Sequence, residues 1–296
     1  MKNPKHYLAA ISAFTIWGFM SLGLKPLQAY ASIDILLYRI FLCVVLILII
    51  NLGFRRAVIK ESVAAVKQMP KQQKRKLLAA MIISGLLLTA NWYLFIYVMN
   101  HVSVKTASFA YLVCPIITTI FAFILLSEKL TNRQWFAVLI SVAGCALLSI
   151  GHYMDLFYSL VVASTYALYL IIQKKITSID KFLVLTVQML ITAVVMLPFY
   201  PVLAGPVPQS PTFYIYILII AVVFTIIPLF LNLYALKKIK SSTVGILIYI
   251  NPIIGFALAA LYYGEEVTAL QIISYSLIII SIIIFNSALF TKKVKA

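Results

Sequence analysis

Residues 182–236 of this chain carry no charged side chain. No soluble surface can be built from such a stretch, and as helix it is long enough to cross about 30 Å of hydrocarbon twice. It divides at Gly205-Pro206-Val207-Pro208-Gln209-Ser210-Pro211, where backbone groups can return to water. The same criterion, about 20 apolar residues free of charge, gives ten spans along the sequence: 6–24, 33–53, 77–99, 104–126, 134–151, 156–173, 182–204, 213–236, 243–263 and 269–290. Runs such as Leu277-Ile278-Ile279-Ile280 do not alternate in polarity, which excludes the strands of a membrane β-barrel. The expected fold is all-α and polytopic, with ten transmembrane helices.

Charge then becomes a question of sidedness. The formal charge of +17 comes from 24 Lys+Arg against 7 Asp+Glu. Spread over a chain this apolar, it leaves no continuous basic face for a phosphate backbone, so nucleic acid is not the expected partner. With both termini on one side, that side collects all but three of the 24 basic residues, and the 54–76 loop is its richest part. The other side receives Lys25 and Lys105, and Arg39 falls inside the second span. The positive-inside rule makes the protein N-in and C-in, with its basic face turned toward anionic lipid. Lys2 and Lys5 ahead of an apolar run, with Ala29-Tyr30-Ala31 beyond it, have the outline of a cleavable leader. The run is too long for a signal core and ends at Lys25-Pro26, so it is read as the first span.

A repeat organises the spans. Sliding the sequence along itself until Pro115-Ile116-Ile117 falls on Pro252-Ile253-Ile254 also places Glu128 on Glu265, Thr131 on Thr268 and Gln134 on Gln271, without a gap. In the same register Tyr97 falls on Tyr234, Thr106 on Thr243 and Ala122 on Ala259, so nine of 38 aligned positions are identical. A weaker match, in a slightly longer register, sets Trp17-Gly18 over Tyr166-Ala167 and Lys25 over Lys174. The reading is two halves, 1–151 and 152–296, of five helices each. Five is odd, so the second half is inserted upside down, the architecture of secondary transporters that bind solute near the midplane between their halves. Pro115 and Pro252 lie at matching points of the fourth and ninth spans, where each frees a backbone carbonyl one turn earlier, and are read as hinges or helix breaks.

The spans contain few polar candidates. Arg39 is the one charge well inside the hydrocarbon; it either pairs with Asp34 or snorkels outward, or it lines a cavity and binds an anionic or carboxylate-bearing solute. Asn91, Asn232 and Asn251 can supply hydrogen bonds, and Trp17, Tyr38, Trp92, Tyr97, Tyr111, Tyr166 and Tyr249 offer amphipathic rings. One at a time, each ring reads as packing or interface belt; together they outline a site. The acidic residues all sit at span ends or in loops, which disfavours a carboxylate-based cation antiporter. His6, His101 and His152 are terminal to spans, no GxxxxGK[ST] phosphate loop occurs, and Cys43, Cys114 and Cys145 are isolated. No catalytic residue, metal site or cofactor is expected.

The endings Ser127-Glu128-Lys129-Leu130-Thr131 and Gly264-Glu265-Glu266-Val267-Thr268, each following a span with proline, resemble the EamA domain of the drug/metabolite transporter superfamily. Phe14-Thr15-Ile16-Trp17-Gly18, Tyr38-Arg39, Asn91-Trp92-Tyr93-Leu94-Phe95-Ile96, Ala107-Ser108 with Tyr111, and Gln134-Trp135 are similar to its RarD group, over nearly the whole chain. Ser127 stands where that family usually has Gly, and Cys114 where Asn often precedes the proline, which leaves Asn251 as a single copy. The resemblance implies ten helices and solute movement through a central cavity, without naming the solute.

The combined expectation is a non-ATP exporter of a small metabolite or drug-like solute, anionic or amino-acid-like, in a bacterial cytoplasmic (inner) membrane. It would work by alternating access as a monomer or weak homodimer. Its binding residues would be Trp17, Tyr38, Arg39, Asn91, Trp92, Tyr97, Tyr111, Tyr249 and Asn251, with Pro115 and Pro252 as hinges. The competing class, a membrane-embedded lipid-handling protein or enzyme, needs paired acids on a helix end, and the sequence has none.

Overall fold

In the computed structural model the chain is helical throughout the described residues, which are 3–101, 104–149, 153–264 and 266–291. Of 99–101, 104–108, 153, 155 and 288–291 only the backbone is described. Glu265, Lys105, His101, His152, Asp155 and the C-terminal lysines, singled out from sequence, therefore lie outside the described side chains.

The elements in chain order are α1 (Pro4–Gly18), α2 (Met20–Leu24), α3 (Ser32–Phe54), α4 (Arg56–Gln68), α5 (Lys71–His101), α6 (Val104–Leu126), α7 (Asn132–Leu148) and α8 (Tyr153–Lys175). There follow α9 (Lys181–Met196), α10 (Tyr200–Leu203), α11 (Pro211–Ala221), a π-helical turn at Val222–Ile226, α12 (Ile227–Leu236), α13 (Ser241–Leu247), α14 (Ile250–Leu261) and α15 (Ala269–Thr291). Among the described residues, eight helical segments are long and apolar enough to cross a bilayer. A ninth is the pair α1–α2, bent by 41° at Phe19, and α7 is apolar but only 17 residues long.

Three segments depart from the simple spans of the sequence. The 54–76 region is not a loop: α4 is an amphipathic helix with no buried residue, and Lys71 to Lys76 open α5. Such a helix suits the plane of a membrane surface. The 213–236 span contains the π turn, and 243–263 is broken between α13 and α14.

Local chemistry explains the shared endings of the repeat. Ser127 (φ 52°) and Gly264 (φ 68°) both adopt the left-handed conformation after α6 and α14, the usual stop signal of a helix. Shortly afterwards, Thr131 and Gln134 form a reciprocal capping box at the start of α7, and Thr268 and Gln271 exchange the same pair of bonds at the start of α15. The stop and the restart thus recur in the register that superimposes Pro115 on Pro252.

Between helices, cohesion comes from small residues and paired polar groups, since lipid gives apolar faces little reason to associate. Asn51 donates to Thr186 (2.8 Å), Thr89 to Thr192 (2.9 Å) and Gln188 to Ser84 (2.9 Å), which tie α9 to α3 and α5. Gly18 meets Ile254, Gly85 meets Ile191, and Gly245 meets Thr118 so closely that an added Cβ would lie within 3.0 Å of each. α6 is the most buried of the candidate spans and packs against α8 and α13.

Candidate functional site

Arg39 lies about two turns into α3, and its guanidinium carbon sits 4.8 Å from the centre of the Trp92 ring on α5. It donates no hydrogen bond to any described residue, and its Nε is sealed from solvent without a partner. Asp34, the sequence candidate for pairing with it, instead accepts the Gly205 backbone N–H at 2.8 Å. Among the described residues the one ion pair is Arg55 to Asp180, 3.0 Å, at the far end of α3. Arg39 itself is half-buried, with part of its side chain still accessible. An unpaired interior cation is costly, and its retention points to function.

Further side chains close around this charge. Tyr111 of α6 and Cys43, one turn along α3, lie in its electrostatic field. Tyr166 of α8 continues the group beyond Tyr111, and the ring of Trp17 stands edge-on to it at 6.5 Å. Trp17 and Tyr166 are the pair that the weaker repeat register superimposed, now in contact between the halves. Asn232 on α12 is fully buried, donates to the Tyr166 hydroxyl at 3.1 Å and leaves its own Oδ1 unpartnered.

The π turn supplies the rest. Widening one helical turn leaves carbonyls without their usual donors, and here side chains take them: Trp17 Nε1 donates to the Phe224 carbonyl (2.9 Å), the Cys43 thiol to that of Ala221 (3.6 Å) and Thr225 to that of Ile220 (2.9 Å). Two of these donors come from helices beside Arg39, which couples α11–α12 to the site. Pro228, just beyond the turn, is the only sequence signal for it, and Cys43 stands out in the sequence only as an isolated cysteine.

Of the nine binding candidates, the structure gathers Trp17, Arg39, Trp92 and Tyr111. Tyr38 packs edge-on against Phe213 and Tyr214 of α11. Asn91 is a clamp between helices, bonded to the Val162 carbonyl (3.0 Å) and to Thr165 (3.1 Å). Tyr97 stacks near Tyr93 with 42% of its surface exposed on the outside of α5. Tyr249 is fully buried in a different cluster with Leu112, Ala137, Cys145 and Ile278. Asn251 is partly accessible on α14. Of the two prolines, Pro115 is carried inside the continuous α6, while Pro252 lies in the first turn of α14, after the turn at Ile248-Tyr249.

The two ends of the molecule differ. At the end reached by α13, the Glu128 carboxylate accepts the backbone N–H groups of Ser241 (2.7 Å) and Ser242 (3.1 Å) and the Ser242 hydroxyl (2.6 Å). Lys240 donates to the Lys129 carbonyl (3.0 Å), and Lys174 to the carbonyls of Leu236 and Ile239. At the other end, α14 has no fully buried residue, and the contacts there include Asp34 with the Gly205 N–H (2.8 Å), Lys25 over the Tyr263 ring (3.7 Å) and a long Tyr263 to Ser21 hydroxyl contact (3.5 Å).

Membrane-length helices joined by interhelical polar ties define a polytopic helical membrane protein. The chain belongs to the EamA-like transporter family, which matches residues 4–150 and 154–287, and with it to the membrane transporters. It is 30% identical to an uncharacterized transporter of Vibrio cholerae over 95% of this chain and 92% of that one. It is 28% identical to Protein RarD of Salmonella typhimurium, with 97% of each chain covered, and 29% identical to Protein RarD of Streptomyces exfoliatus, over 94% and 87%. A solved structure titled "Crystal structure of protein" shares the fold, with a TM-score of 0.75 at 14% identity over 98% of this chain and 99% of that one.

Proposed function

We propose that this protein is a secondary transporter that carries a small solute through the space beside Arg39 by alternating access. Ten spans, with α1–α2 and α7 counted among them, two inverted halves and both termini in the cytoplasm are the arrangement we assign to it. In support stand the capping elements shared by the two halves and the basic residues that this topology gathers on one side. The observation that carries the reading is Arg39 itself, a cation within a membrane-length helix that makes no ion pair and leaves its Nε unpartnered, with the Trp92 ring of α5 beside it. The Glu128 clamp on the start of α13 and the lesser burial of α14 support a reading in which the end topology makes cytoplasmic is the more firmly held one. Export across a bacterial cytoplasmic membrane as the working direction rests on the family resemblance.

The test is transport by Arg39→Ala in proteoliposomes, with insertion checked by protease protection of the basic face. We expect a properly inserted protein whose saturable transport is lost. Normal transport by that variant would remove Arg39 from the mechanism.

A further inference from the structure

Two cavities adjoin at the end of α3 where Arg55 lies, one apolar and one polar. The first is a groove of about 300 Å³, lined by Leu46 and Ile50 of α3, Phe182 of α9, Val222 and Ile226 of the π turn and Phe230 of α12. Every residue lining it is apolar, and Ile227 among them is 39% exposed, so the groove opens on the apolar surface of the bundle. The second is a cleft of about 370 Å³ between α4 and the turn from α8 to α9. Val58, Glu61, Ser62 and Ala65 recur at the spacing of one helix face and turn that side of α4 toward it.

Arg55 joins the two cavities. Its Nη1 lies 3.0 Å from Asp180, which lines the cleft, and its guanidinium carbon 4.9 Å from the centre of the Phe182 ring, which lines the groove. Three membrane-length segments have an end at this level: Ser32–Phe54 stops beside Arg55, Pro211–Leu236 stops beside Lys237, and Lys181–Leu203 starts beside Asp180. The cleft therefore stands where hydrocarbon gives way to water, and the groove lies at the depth of the acyl chains.

Charge in the cleft specifies what its head must carry. Glu61 and Lys237 both line it, and neither belongs to the one ion pair among the described residues. Asp180 is already engaged, by Arg55 and by the backbone N–H groups of Phe182 (3.0 Å) and Leu183 (3.1 Å). A ligand with both signs of charge pairs both free groups, whereas a purely anionic one meets Glu61 with like charge. Ser62, Thr177 and Ser178 add hydroxyl acceptors, and no aromatic ring lines the cleft among the described residues. A primary ammonium, with N–H donors for carboxylate and hydroxyls, suits that lining; a quaternary ammonium has no such donor and favours an aromatic cage.

We propose that the paired cavity binds one zwitterionic glycerophospholipid with an aminoethyl phosphate head, its acyl chain in the groove, its phosphate at Lys237 and its ammonium at Glu61. Such a site is separate from the space beside Arg39 and holds whether or not the protein is a carrier. The groove shares a wall with the π turn, whose carbonyls accept from Trp17 and Cys43, so a bound acyl chain braces the turn that those donors hold.

The experiment uses purified full-length protein, stripped of lipid in detergent and supplied with dioleoyl lipids that differ only in the head: phosphoethanolamine, phosphocholine or phosphoglycerol. Native mass spectrometry counts the bound lipid, and thermal melting follows stabilisation. We expect one phosphoethanolamine lipid to bind about threefold to tenfold more tightly than either of the others. Glu61→Gln should erase the preference for phosphoethanolamine over phosphocholine and leave the lipid-free melting temperature unchanged, since Glu61 is exposed and outside the ion pair. Lys237→Gln should weaken the phosphoethanolamine and phosphocholine lipids alike. Ile227→Trp, which fills the groove from its exposed side, should displace the phosphoethanolamine lipid with Glu61 and Lys237 intact.

Tightest binding of the phosphoglycerol lipid would overturn the zwitterionic assignment. Equal binding of all three lipids, or retention of none, would overturn the site. Phosphoethanolamine binding that survives Ile227→Trp at wild-type strength would overturn the groove as the seat of the acyl chain. All of these outcomes leave the carrier reading to transport by Arg39→Ala.

Discussion

α6 and the α13–α14 pair carry proline at matching points of the repeat, Pro115 and Pro252, yet one is a continuous α-helix and the other is interrupted by a two-residue turn at Ile248-Tyr249, where the backbone stays right-handed and hydrogen-bonded. The difference lies in what surrounds each. α6 is enclosed by α5, α8 and α13, and a side-chain donor supports its backbone near Pro115: the Cys145 thiol reaches the Leu112 carbonyl at 3.3 Å. α14 has no fully buried residue and is held less closely, by Ile254 against Gly18 of α1 and Phe256 stacked on Tyr275 of α15. Every residue of α13, by contrast, is buried, and its first N–H groups are held by Glu128. A proline therefore permits a break, and packing decides whether one forms. In a carrier of two inverted halves, this inequality is what distinguishes one facing state from the other.

The comparison can be broken at several points, the strongest being Glu128. Replacing it with Ala removes a charged acceptor from three donors and should cost about 2–3 kcal/mol of stability, whereas Glu266→Ala, in the exposed counterpart ending, should leave the melting temperature unchanged. Equal losses in thermal melts of detergent-purified protein would mean that the two ends are equally clamped.

Glycines give a second contrast. A Cβ on Gly245 of α13 would lie 2.9 Å from the Thr118 side chain on α6, while one on Gly255 of α14 meets nothing within 4 Å. Gly245→Ala should cost about 1–3 kcal/mol from overpacking. Gly255→Ala should stay within about 0.5 kcal/mol or stabilise slightly, since alanine is the better helix former. The same melts decide, and a harmless Gly245→Ala would argue against close α6–α13 contact.

The prolines come next. Pro252→Ala can restore a backbone bond across the α13–α14 break, for a gain of about 1 kcal/mol with slowed transport, whereas Pro115→Ala should change transport little. A faster Pro252→Ala carrier would show that the break is not used. The smallest effect concerns Ser127, a non-glycine residue at φ 52°. Ser127→Gly should stabilise by about 0.5–1 kcal/mol, and Gly264→Ser should destabilise by a similar amount. Denaturant midpoints that fail to move in opposite directions would contradict the shared left-handed stop.

The helical, membrane-spanning character of the chain was plain in its charge-free runs, because hydrocarbon demands them. Arg39 was visible too, since a lone charge in such a run stands out from its neighbours. Partners across helices were not. Periodicity in a nearly all-apolar helix says little about which face meets lipid and which meets protein, so Tyr97 and Tyr249 looked equivalent to Tyr111 and are not. Asn91 has the composition of a binding residue and the geometry of a helix clamp. The π turn depends on donors from Trp17 and Cys43, far away in sequence, and left only Pro228 as a trace.

The most direct test of alternating access needs no solute. Ser241, buried on α13 with an unpartnered hydroxyl, and Leu258, partly accessible on α14, are suitable for single-cysteine reporters beside the three buried native thiols. Labelling by a membrane-impermeant maleimide is measured for each in protein with and without Glu128→Gln. The account predicts that releasing Glu128 speeds labelling of Ser241→Cys and slows that of Leu258→Cys. Labelling that rises at both positions, or changes at neither, would contradict it.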